Sequence, residues 1–225
     1  MISGFGAKAM EFYAQLSPPA DFPPGVSVMN PYRQPAVKKY LGCFFEKFFS
    51  SRDKRVLILG INPGRFGGGL TGISFTDPVA LQEFCGIPND LPKKRELSSV
   101  FIYEAIQKWG GVKEFYRKFY LSAVCPLGLT KGNTNCNYYD RPELLKALEP
   151  FIIGSIQKQL EFGVSREHVV LLGRGQNLKF FDRLNRKFVF FKTVHALEHP
   201  RFILQYRRPL VAEYLQKYQN IFSSL

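Results

Sequence analysis

Two polar side chains stand where apolar runs end, and their types bound the chemistry available. Asn62 closes the run VLILGIN (56–62) and sits in a turn, GINPGRFGGGLTGISF (60–75), that holds six glycines. An amide takes no proton as a carboxylate does; it can only orient a partner such as water. The glycines let backbone approach a ligand closely, and Phe66 and Phe75 are two aromatics able to sandwich a flat ring. A glycine-rich connector with core phenylalanines is the other reading of the same turn. His199 ends the segment HALEH (195–199), formally the spacing of an inverted zinc-protease motif. That chemistry needs two imidazoles one turn apart on a helix. The segment instead leaves a β-like run, FVFFKTV (188–194), and meets Pro200, which holds His199 out of the α region. No metal site is expected there. Residues 67–72 spell G-x-G-x-x-G, but five residues separate them from the strand end, so no dinucleotide is expected either.

These residues need elements to position them. Four apolar runs read as strands: 56–62, 119–127, 168–174 and 187–195. Helical patterns occupy about 5–16, 34–49, 77–86, 97–118, 142–162, 175–185 and 206–222, with a proline-rich crossing at 17–25. Alternation of this kind predicts right-handed crossovers and a three-layer α/β/α fold around a central four-stranded, mainly parallel sheet. The expected organisation is one domain over 1–225, with a helical N-terminal extension at about 1–50. Ligands of such folds bind beyond the carboxyl ends of the strands, where Asn62, Ala123, Arg174 and His199 fall.

The chain has 225 residues and a formal charge of +13, from 31 Lys+Arg against 18 Asp+Glu. With 22 Phe and 11 Tyr, this points to a polyanionic partner. Basic residues concentrate at 174–208, a formal +7, and at 33–55, a formal +5 that includes Arg52, Lys54 and Arg55. No stretch of 18 apolar residues predicts a membrane span, and no secretory signal is expected at the N-terminus. Cysteines 43, 85, 125 and 136 are scattered singly, which suits reduced thiols in a cytosolic protein.

The turn GINPGRFG (60–67) with TGISF (71–75), the segment VCPL (124–127) and the pair His199-Pro200 together resemble the single-strand-selective monofunctional (SMUG-like) family of uracil-DNA glycosylases, in a divergent bacterial branch. The likeness runs from about residue 40 to 222. It implies hydrolysis of the N-glycosidic bond of uracil in single- or double-stranded DNA, leaving an abasic site for base excision repair. Asn62 would hold the attacking water and His199 would donate to O2 of the departing base. Gly60, Ile61, Gly64, Phe66, Phe75 and Ala123 would surround the base. Gly64 stands where related enzymes carry a bulky tyrosine, so 5-substituted uracils are expected to fit.

The same resemblance implies that the turn Pro200, Arg201, Phe202 enters the duplex; Arg174, beyond the third run at a helix start, and Arg207, in the basic cluster at 174–208, are expected on DNA phosphates. It implies no cofactor, a monomer, and action in the cytoplasm of a bacterium or the nucleus of a eukaryote. Iron–sulfur clusters occur elsewhere in the superfamily, but cysteine spacings of 42, 40 and 11 do not suit one. Ala123 replaces the usual base-reading Asn; Ser122, Asn133, Asn135 and Asn137 are the candidates to substitute. Two rivals follow: a non-catalytic protein that binds single strands or damage, and a glycosylase for a deaminated purine.

Overall fold

A computed structural model describes residues 4–51 and 53–225; Arg52 lies outside them. Helix α1 (Phe5–Gln15) leads through the proline-rich crossing to a short strand, β1 (Ser27–Met29), and then to α2 (Pro35–Phe48). Strand β2 (Arg55–Gly60) enters the glycine turn, which contains a single helical turn, α3 (Gly68–Thr71). Helices α4 (Pro78–Glu83), α5 (Leu97–Trp109) and α6 (Gly111–Lys118) precede β3 (Phe119–Ala123). A hairpin of β4 (Gly128–Lys131) and β5 (Thr134–Asn135) follows, then α7 (Pro142–Leu160) and β6 (Val164–Leu172). The chain ends with α8 (Gln176–Phe188), β7 (Thr193–Leu197), α9 (Pro200–Tyr206) and α10 (Val211–Ser224).

The main sheet has the order β3-β2-β6-β7 and every pairing is parallel. Central β2 is buried at all six positions, as an apolar run covered on both faces must be. Period-2 alternation in β3 sorts the two helix layers. Phe119 packs on Trp109, Phe115 and Phe222 of α5, α6 and α10. Its neighbour Tyr120 packs on Phe5, Phe45 and Phe49 around α1 and α2, and bonds the Tyr13 hydroxyl at 2.7 Å. The α1–α2 segment thus covers one face of the sheet. A second, antiparallel sheet joins β1, β4 and β5.

Several elements differ from expectation. The helix expected at 97–118 breaks at Gly110, whose φ of 127° admits glycine readily. The strand expected at 187–195 begins only at Thr193, because Phe180, Phe181 and Leu184 carry a helical apolar face that extends α8 to Phe188. The run 119–127 ends as a strand at Ala123. The last helix, expected at about 206–222, is α10, which starts after Pro209, and a further helix not expected from sequence, α9, starts at Pro200. Arg55 leaves the basic patch at 33–55: it is wholly buried over the rings of Phe5 and Phe49 and bonds the Tyr116 carbonyl. No helix among the described residues is long and apolar enough to cross a membrane.

Candidate active site

A cleft of about 830 Å³ lies at the carboxyl ends of β2, β3, β6 and β7. It collects Gly60, Ile61, Asn62, Gly64, Phe75, Ala123, Arg174, His199, Arg201, Phe202 and Arg207, all anticipated from sequence. Parallel β2 and β3 pair Gly60 with Ala123 at its floor. Beyond the strand, backbone bonds from Val124 to Gly60 and from Cys125 to Ile61 keep the two chain segments together.

Asn62 is held by the stretch that follows the β4–β5 hairpin. Its Nδ2 donates to the Cys136 carbonyl at 3.1 Å, and its Oδ1 accepts from the Tyr138 backbone N–H at 3.3 Å. A donor on one side and an acceptor on the other fix which way the amide faces. Each amide atom retains capacity for one further bond. The stretch is itself anchored, since the Tyr138 hydroxyl donates to Asn177 Oδ1 at 2.7 Å.

His199 caps α9. Its extended backbone (φ −66°, ψ 135°) matches the restriction imposed by Pro200, and its Nδ1 accepts from the Arg201 backbone N–H at 3.2 Å. An accepting Nδ1 carries no proton, so the neutral ring holds its proton on Nε2. Burial, and then the Arg201 charge, lower its pKa to about 4. At neutral pH the ring is therefore an uncharged donor.

Phe75 lies beside this imidazole, ring centroids 5.8 Å apart. Its φ of 57° is a left-handed conformation that costs a bulky residue about 1–3 kcal/mol and marks functional sites. The ring rests on Gly60, where a Cβ would come within 2.5 Å of Phe75 Cζ. Glycine at the strand end is what admits the ring.

Some expectations change. Phe66 does not line the cleft; its ring is covered by Lys94 Nζ at 3.8 Å and by Arg65, so it forms no sandwich with Phe75. Pro200 is buried at the head of α9 and is not itself a lining residue, although His199 and Arg201 on either side of it are. The turn 200–202 is helical, and Phe202 and Tyr206 are the exposed aromatics of α9 at the cleft rim. Arg174 faces Glu198 at 3.5 Å, and Arg207 lies over the Phe202 ring. The room expected beside Gly64 is taken: a Cβ there would overlap the Glu96 carboxyl. Ser122, Asn135 and Asn137 line the cleft with Ala123, whereas the lining does not include Asn133. Sequence reasoning missed Glu96, which sits in the charged string KKREL (93–97) and reads there as solvated surface. Among the described residues, no group of three His, Cys, Asp or Glu is placed to hold a metal.

A cleft at the carboxyl ends of a parallel sheet, walled by a glycine-rich turn and a capping histidine, is where α/β enzymes keep their chemistry. The chain belongs to the uracil DNA glycosylase superfamily, whose family model matches residues 46–222. It is similar to SMUG2 of Pedobacter heparinus, whose crystal structure it matches at 43% identity and a TM-score of 0.95, over 98% of this chain and 97% of that one. No curated protein matches the sequence. The chain is accordingly a SMUG-like N-glycosyl hydrolase of DNA repair that acts on DNA.

Proposed function

We propose that the protein is a monofunctional glycosylase that removes uracil from DNA and leaves an abasic site. The observation that carries this reading is the His199 cap: a neutral imidazole with its proton on Nε2, in the same cleft as an orientation-fixed Asn62. The reaction develops positive charge on the sugar and negative charge on the departing base. His199 Nε2–H meets the anion at O2, and a donor so placed is worth about 3–4 kcal/mol in the barrier. The Asn62 amide seats the attacking water, and Phe75 stacks on the extruded base.

Extrusion costs a few kcal/mol. Phe202 and Tyr206 on the rim fill the vacated space, while Arg174, Arg201 and Arg207 take phosphates. Among the described residues no lysine lines the cleft, which supports hydrolysis without a Schiff base. Every group invoked comes from one chain, which we read as a single domain acting as a monomer wherever the cell keeps its DNA. Incubation with a uracil-containing oligonucleotide followed by alkali tests the reading. Strand breaks that appear only after alkali support it, and breaks without alkali show a lyase.

The small side chain at Ala123 also favours a second substrate class, deaminated purines. A panel of uracil, 5-hydroxymethyluracil, hypoxanthine and xanthine oligonucleotides ranks them. With Glu96 against Gly64, 5-hydroxymethyluracil is expected last.

A further inference from the structure

A base held at O2 by His199 still presents its opposite edge, which polar groups of the cleft must meet. Asn177 has both amide atoms engaged, by the Tyr138 hydroxyl and the Leu172 carbonyl. Asn137 is bonded to Asp140 through its backbone and its Nδ2. Glu198 faces Arg174, and Ala123 has no polar atom to offer. Ser122 Oγ lines the cleft without a hydrogen-bond partner, and Glu96 and Asn135 stand side by side at Gly64. A Cβ on Gly64 would overlap Glu96 Oε1 and stand 3.4 Å from Asn135 Nδ2; a Cβ on Gly67 would overlap Glu96 Oε2. The two glycines form a cradle that only this carboxyl fills. Asn135 Oδ1 accepts from the Arg65 backbone N–H, which leaves its Nδ2 at the same place.

A neutral carboxylic acid offers one donor and one acceptor on adjacent atoms. That pattern complements a C=O beside an N–H, the edge shared by uracil, hypoxanthine and xanthine. An ionised carboxyl has acceptors only; it can take the N–H but repels the carbonyl beside it. We infer that Glu96, as the neutral acid and with Asn135 beside it, hydrogen-bonds the carbonyl and N–H edge of the extruded base. The inference rests on the glycosylase reading above.

Burial favours the neutral acid, raising the Glu96 pKa to about 7 against the opposing Arg201 charge, with Asp77 adding to the rise. Arg201 comes from α9 and Asp77 from the head of α4, while β5 contributes only the neutral Asn135. A bound base displaces water and favours the neutral form further.

The test is single-turnover excision by the full chain on uracil and hypoxanthine oligonucleotides, between about pH 5.5 and pH 8.5, for the native protein and Glu96→Gln. The native rate on both bases is expected to fall about tenfold as pH rises through the Glu96 range, because the donor is lost. Glu96→Gln keeps a donor at every pH and should show no such fall. His199 titrates below this window. Identical pH profiles for the two proteins overturn the inference.

A measurement on the native protein alone covers the case in which the variant does not fold. Its preference for DNA carrying uncleavable 2′-fluoro-2′-deoxyuridine over the same DNA carrying an abasic-site analogue should shrink about threefold or more across the same range. A constant preference sinks the role of Glu96 while excision continues. A native protein that excises none of uracil, hypoxanthine or xanthine overturns the glycosylase reading and this inference with it.

Discussion

The Nδ1 of His199 accepts the backbone N–H of Arg201, so one hydrogen bond both starts helix α9 and decides which ring nitrogen carries the proton. Structure and chemistry meet in one side chain, and substitutions can separate them. The imidazole also lies beside Phe75, so the cap sets the position of a donor relative to a stacking ring.

His199→Ala removes both the cap and the donor. The expected result is a loss of about 1 kcal/mol in stability and a fall of about 10²–10³ in single-turnover rate. His199→Asn restores a good cap, since the Asn side-chain oxygen can accept from Arg201 N–H, but its short amide does not reach the base. Melting temperature should recover in His199→Asn while the rate stays low. Recovery of both would show that the imidazole acts only as a cap.

Asn62 is clamped through both amide atoms, so Asn62→Ala releases the stretch around Cys136–Tyr138 as well as the water site. Two half-buried bonds are lost, at about 1 kcal/mol each. Excision should fall at least about a hundredfold. Affinity for an uncleavable uracil analogue in DNA should stay close to native, because the phosphate contacts remain. Loss of DNA affinity in proportion to rate would count against a role for Asn62 in seating water.

Asn62 was legible in the sequence because it is a polar residue at the end of a buried apolar run, whereas His199 was legible through the His199-Pro200 pair of the family resemblance, and a parallel sheet brings the two strand ends together. The runs at 56–62 and 168–174 were legible for the same reason: continuous apolar stretches have few alternatives to a covered strand. The run at 187–195 misled because the aromatics of FVFF (188–191) continue the amphipathic pattern of α8, and composition does not say where the helix stops. Glu96 was hidden for a different reason. Its place in the cleft depends on glycines 64 and 67, about thirty positions earlier, and its own neighbours are exposed lysines and arginines. The missing side chains of two glycines identify it, and only the folded chain shows what fills their space.

Gly60→Ala tests whether the strained Phe75 conformation matters. The new Cβ would meet the Phe75 ring, while the rest of buried β2 is untouched. The ring must move off the strand end. The fold should persist, with a stability change of about 1–3 kcal/mol, and the excision rate should fall more steeply than binding of undamaged DNA. Equal loss in both would place the ring outside the base pocket.

DNA affinity should fall steeply with salt, since neutralised phosphates release counterions. Arg207→Ala should lower the slope of log affinity against log salt by about one unit if that side chain neutralises one phosphate. Phe202→Ala should leave the slope unchanged and slow excision instead, because a wedge acts on the extruded state. Titration by fluorescence anisotropy at several salt concentrations separates the two outcomes.

Stability should carry the marks of two opposed titrations in the cleft. His199 has a folded pKa of about 4, below its ordinary 6.5, so the folded state binds fewer protons there than the unfolded chain. Its contribution is present above about pH 6.5 and is lost as pH falls toward 4. Glu96 is raised from 4.5 to about 7, so the folded state holds a proton the unfolded chain has released. Its contribution is present below about pH 4.5 and is lost as pH rises through 7. Between about pH 4.5 and 6.5 the two oppose each other, and above 6.5 only Glu96 still titrates. Melting temperature should therefore decline from about pH 6.5 to pH 8 in the native protein. Glu96→Gln should flatten that decline and leave the acid limb of His199 in place. A decline of unchanged size in Glu96→Gln would assign it to another group.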